Sequence, residues 1–104
     1  MSEGIEPVAG RHNAVTEVAT EHASRYLQQL CKHFSHKIPA SFDETAGRIT
    51  FQIGECRLRA EGGTLHMAAD APSEAELAQL KDVIDRHLVR FAFREELAIR
   101  WQPA

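Results

Sequence analysis

The sequence predicts an α+β domain of two layers, an antiparallel sheet with two helices packed on one face, in the order β-α-β-β-β-β-α-β. Three observations carry this. Two stretches repeat apolar residues at the three-and-four spacing of an amphipathic helix, several short stretches alternate apolar with polar residues, and glycine-rich punctuation separates the alternating stretches. The chain has 104 residues, 43% of them apolar, which fills one core and excludes a second domain.

Residues 1–12, with Gly4, Pro7 and Gly10 and no periodicity, are expected to be a disordered tail, and residues 13–104 a single α+β domain. Ala14 to Ala19 is rich in Val and Thr and reads as a strand, after which Thr20 is placed to cap a helix. That helix runs from about Glu21 to Lys37 on the stripe Ala23, Tyr26, Leu27, Leu30, Cys31 and Phe34, and Pro39 ends it. Ala40 to Phe42 forms a short strand, and Asp43 to Gly47 turns the chain into Arg48 to Ile53. A two-residue hairpin at Gly54-Glu55 leads to Cys56, Leu58 and Ala60, and a second at Gly62-Gly63 leads to Leu65, Met67 and Ala69. Ser73 with Glu76 is a capping box opening a helix on Leu77, Leu80, Val83, Ile84, Leu88 and Phe91, which stops near Ala92. Leu97, Ile99 and Trp101 then set a last strand.

Charge and hydropathy exclude broad classes of function. With 12 Lys and Arg against 15 Asp and Glu, net −3, the chain lacks the basic excess that general nucleic-acid binding requires. No apolar run approaches the ~20 residues of a membrane span, and the start Met-Ser-Glu-Gly-Ile-Glu is acidic where a signal peptide is basic. No nucleic acid, no membrane and a cytoplasmic location are therefore expected. The two cysteines, Cys31 and Cys56, are too few for a disulfide framework and read as small buried residues. Gly-rich phosphate loops and nucleophile elbows are absent from the sequence.

Three groups of residues could carry chemistry. On the first helix His33 and His36 are one turn apart, and with His87 of the second helix they form a candidate site for a divalent metal if the two helix ends meet; Cys31 points away from His33. Where the second helix ends, His87, Arg90, Arg94 and Glu95 bunch with Phe91 and Phe93; the arginines suit the helix dipole and the phenylalanines suit packing. On the sheet, alternation gathers Arg48, Arg57, Arg59, His66 and Arg100 on the face away from the core, a candidate anion-binding surface. Glu55 and Glu61 share that face, so cross-strand ion pairs are the simpler account of it.

At Ser24-Arg25-Tyr26-Leu27, Leu30-Cys31-Lys32-His33-Phe34 and His36-Lys37, at Gly47 and Ile49, at Gly54 with Cys56-Arg57-Leu58, and at His87-Leu88 with Arg90-Phe91-Ala92-Phe93-Arg94-Glu95, the chain resembles the small bacterial proteins of domain-of-unknown-function family 2218. The resemblance runs from about Thr20 to Gln102, and Phe34 stands where the family often has Trp. It brings no activity. It implies an association with siderophore and iron-uptake genes, and so an accessory role in handling iron, a metal or an iron chelate beside a siderophore-interacting reductase or iron-uptake protein. The leading expectation is a non-enzymatic binding module; a small enzyme using His87 or Cys31, and a protein-interaction domain, are the alternatives.

Overall fold

A computed structural model describes residues 6–104. Six strands and two helices follow in the expected order: β1 (His12–Ala19), α1 (Ala23–Ser35), β2 (Ala40–Phe42), β3 (Ala46–Thr50), β4 (Glu55–Glu61), β5 (Thr64–Ala71), α2 (Glu74–Phe91) and β6 (Gln102–Pro103). The strands form one sheet in the spatial order β2-β3-β4-β5-β1-β6, each neighbouring pair antiparallel. Tight hairpins make β2 to β5 a meander, and the first strand lies on the far side of it, against β5.

Alternation decides the two faces of the sheet. Ala14, Thr16 and Val18 of β1 lie opposite Ala69, Met67 and Leu65 of β5, which lie opposite Cys56, Leu58 and Ala60 of β4. This face takes both helices: α1 packs over β2 to β5, α2 over β5 and β1, and the helices touch each other. One continuous core results, with Leu27, Leu30, Leu58, Ile84 and Leu88 buried and Phe34, Phe51 and Trp101 half-buried at its margin. In α1 the stripe Ala23, Tyr26, Leu27, Leu30 and Cys31 is buried, and in α2 Leu77, Leu80, Ile84 and Leu88 are.

Local chemistry sets the element ends. Gly62 and Gly63 both hold positive φ, 55° and 75°, the pair a type I′ hairpin needs between β4 and β5. Ser73 caps α2 by accepting the Glu76 N–H, and its hydroxyl donates to the Glu76 carboxylate, so the expected Ser73–Glu76 pair forms with its second bond between the two side chains. Ala92 ends α2.

Three expectations shift. The cap of α1 is His22, without a side-chain bond; a turn at residues 21–22 precedes the helix, and Thr20 accepts the His22 N–H at 3.1 Å across it while donating to Glu95. The hairpin after β3 turns at Gln52 and Ile53, not at Gly54-Glu55, since Phe51 and Gly54 exchange backbone hydrogen bonds and Thr50 is already paired with Glu55. Gly54 serves another purpose: a Cβ there would lie 2.3 Å from the Asp70 carbonyl oxygen. The final alternating segment is irregular until Gln102, because Leu97, Ile99 and Trp101 are drawn onto the core and Trp101 donates its indole N–H to Asp85 at 2.9 Å.

At the N-terminus, residues 1–5 of the expected tail lie outside the described residues. Val8 exchanges hydrogen bonds with the Asn13 side chain at 2.8 and 2.9 Å, Arg11 closes a turn onto Val8, and β1 starts at His12.

Candidate functional site

The sheet face away from the helices assembles the arginines by register. Arg48 stands opposite Arg57, and Arg59 opposite His66, which in turn stands opposite Glu17. Arg100, just before β6, lies beside β1 in a groove it lines with Val15, Glu17 and Gln102. Carboxylates are interleaved with them: Arg48 lies 3.6 Å from Glu55, Arg59 3.3 Å from Glu61, and the His66 ring 3.7 Å from Glu17. These pairs are at least partly exposed and each is worth little.

Arg57 is different. Its side chain is 8% exposed although it stands on the outer face, and its neighbour Asp70, 4% exposed, also accepts a 2.9 Å bond from Arg11. Arg57 Nη2 is 3.7 Å from Asp70 Oδ2, an ion pair too long for a hydrogen bond. Among the described residues, Arg57 Nε and Nη2 and Asp70 Oδ2 are buried with no hydrogen-bond partner, and Arg59 Nε shares that state. The expectation of a uniformly solvent-facing basic surface is thereby corrected: its central arginine is enclosed, with donors unused.

The ends of the two helices do meet. The rings of His33 and His87 have centroids 4.9 Å apart, and Phe34 lies 4.9 Å from His33 and 4.8 Å from His87. His87 Nδ1 is 2.7 Å from the Val83 carbonyl, so that nitrogen donates its proton and the ring's free lone pair lies on Nε2. Burial against these rings, then the neighbouring charges of His87, His36, Lys37 and Arg90, hold the His33 imidazole below its ordinary pKa. His36 does not complete the expected trio: among the described residues no three His, Cys, Asp or Glu side chains are grouped to hold a metal. It is the residue that ends α1, exposed beside Lys37.

Cys31 lies fully in the core beneath Gly47, and burial pushes its thiol up to about 11; Cys56 is raised further, again by burial first. Both thiols are free and protonated near neutral pH, which removes Cys31 as a nucleophile. Of the remaining candidates, Arg90 is exposed on α2, and Arg94 is stacked over Phe93, its carbon 5.3 Å from the ring centroid. Glu95 accepts hydrogen bonds from the hydroxyls of Tyr26 and Thr20. The Tyr26 bond holds the Glu95 carboxyl below its ordinary range, while burial and the same carboxylate raise the Tyr26 phenol. These residues edge a groove between α1 and the end of α2 that Arg25 and Arg94 also line.

A model of the family described as "Uncharacterized protein conserved in bacteria (DUF2218)" matches residues 15–102. The chain belongs to this family. The DUF2218 match spans every element from the body of β1 to the start of β6. The NMR structure of PA4090 from Pseudomonas aeruginosa is similar, with a TM-score of 0.75 and 38% identity over 89% of this chain and 97% of that one. The comparison with curated proteins gives no match. No described helix is long and apolar enough to cross a membrane.

Sequence reasoning missed Asp70 and Arg11, which set the state of Arg57, and Tyr26 as the partner of Glu95. Alternation does place Arg11 and Asp70 on the outer face. The signal available was a carboxylate in an otherwise small and apolar β5, Met67-Ala68-Ala69-Asp70-Ala71.

Proposed function

We propose that this domain is a non-enzymatic binding module that holds a small polycarboxylate or phosphate on the outer face of its sheet, the class to which anionic iron chelates belong. The observation that carries this reading is Arg57. A buried guanidinium with unused N–H donors is costly, and the ion pair to Asp70 does not use them. Once the side chains that cover Nε and Nη2 move aside, a ligand carboxylate accepting from both would make the paired, charge-assisted contact for which guanidinium geometry is suited. Arg48, Arg59 and His66 stand around it, and their present partners are weak enough to exchange for a ligand. The family resemblance, not the geometry, is what points within this class to iron chelates and to a siderophore-interacting reductase or uptake protein as the recipient.

The test is a titration of citrate, inorganic phosphate and ferric citrate into 15N-labelled protein. Amide shifts are expected on β3, β4 and β5 around Arg57, with millimolar or tighter affinity for at least one of the three. Arg57→Met should abolish binding; Arg59→Gln, which leaves the enclosed pair intact, should weaken it about tenfold. Absence of shifts at millimolar ligand, or shifts confined to the helices, overturns the reading.

A further inference from the structure

We propose that His33 and His87 form a cross-helix site for a transition-metal ion of the zinc class, one imidazole from each helix, distinct from the sheet face. Their centroids are 4.9 Å apart. An ion bonded at about 2.0–2.1 Å to one nitrogen of each ring stands roughly 3.2 Å from each centroid, so this separation corresponds to an angle of about 100° at the ion, close to tetrahedral. The separation of the rings is thus one at which both reach a single ion when a nitrogen of each is turned toward it.

The surroundings prepare the nitrogens. The Val83 carbonyl takes the Nδ1 proton of His87, which fixes the tautomer with its lone pair on Nε2, the arrangement that orients histidine ligands at metal sites generally. Phe34 and Phe91 wall the pair, with Phe91 5.6 Å from His33, and limit the rotamers open to either ring. Its ligands are neutral imidazoles with no carboxylate, so the site selects ions that bind imidazole strongly, Zn²⁺, Ni²⁺ and Cu²⁺, over Mg²⁺ and Ca²⁺. With two protein ligands, the remaining positions are open to water or a further donor.

The experiment uses untagged full-length protein and Zn²⁺ alone, followed by imidazole ¹H–¹⁵N correlations. The His33 and His87 signals should shift together at the lowest zinc additions. Affinity should fall at least tenfold in His33→Gln and in His87→Gln, and change less than twofold in His36→Gln. Zinc should raise the melting temperature of the wild type and of the His36 variant but not of the other two. Equal losses in His33→Gln and His36→Gln would assign the ion to two residues of one helix and overturn the cross-helix site, as would first shifts at His12, His22 or His66. Since the sheet face plays no part, Arg57→Met should leave zinc binding unchanged whatever becomes of anion binding.

Discussion

The hydroxyl of Tyr26 donates a hydrogen bond to the carboxylate of Glu95, joining residues 69 positions apart. Tyr26 lies on the buried stripe of α1, and Glu95 belongs to the segment that leaves α2, so this bond with Thr20 fastens the chain's return to the first helix. Replacing Tyr26 with Phe should lower the melting temperature by several degrees. The pH dependence has a definite sign. The Glu95 carboxyl is held below its ordinary value in the fold, so its contribution is present above about 4.5 and is lost as pH falls through the folded value. Thermal melts of Tyr26→Phe should therefore lie below the wild type at neutral pH and converge with it in acid.

Thiol chemistry should report on the core. Cys31 titrates at about 11 in the fold, above the ordinary value of 9.0, because it is buried. Between those values the fold holds a proton the unfolded chain has released, so stability is full below pH 9 and declines as pH rises toward 11, by about 2 kcal/mol for this group. Cys56 acts in the same direction. Neither cysteine should react with a thiol reagent at pH 8 until the protein unfolds, and a fast native-state reaction would contradict the burial described.

Two glycines should respond differently to alanine. A Cβ at Gly47 would meet Cys31 Sγ at 2.7 Å, a side-chain atom, whereas one at Gly54 would meet the Asp70 carbonyl oxygen at 2.3 Å, which is backbone. Gly47→Ala is expected to destabilise by about 1–3 kcal/mol, as overpacking does, and Cys31→Ala in the same chain should recover much of it. Gly54→Ala should prevent a soluble fold, and truncating Leu80, its next contact, should not rescue it. Denaturant midpoints of the single and double variants give the comparison.

Asp70 faces two arginines from within the sheet. Asp70→Asn leaves Arg57 enclosed without its countercharge and is expected to cost about 3–5 kcal/mol. Arg59→Gln, at a partly exposed pair, should change stability by less than about 1 kcal/mol. Urea unfolding of both variants distinguishes these outcomes.

Core truncations should be costly at both helices. Leu30 and Leu88 are buried to within 1% of complete, one on each stripe, and either changed to Ala should lose about 2–5 kcal/mol by the same measurement.

Features governed by neighbours in sequence were the ones legible beforehand. Gly62-Gly63, the Ser73–Glu76 box and the stripe of α1 each depend on residues within a few positions of one another, and the structure has all three. Gly54 was legible as special but for the wrong reason, since the constraint comes from Asp70, across the sheet. Leu97, Ile99 and Trp101 alternate as a strand does, yet docking on the core and the Trp101–Asp85 bond use that alternation without backbone pairing. Alternation placed Arg57 on the outer face correctly and could not show its enclosure, which depends on packing around it and on the Asp70 it shares with Arg11. The meeting of His33 with His87 was legible as a condition, because periodicity sets each on its helix and only the packing of the two helices decides the distance.

The strand order has a consequence for how the chain reaches its native state. β2 to β5 join through short turns and can zip together locally, but β1 pairs with β5 across a long excursion: even its nearest partners, Ala19 and Thr64, are 45 residues apart in the chain. Closing that loop carries a larger entropic penalty than hairpin formation does, so the first strand synthesised joins after the meander, and β6, which pairs with β1, follows it. Until it docks, the edge of β5 is open and part of the bed for α2 is missing. The interval before β1 arrives is when this chain is most exposed to pairing with another copy of itself.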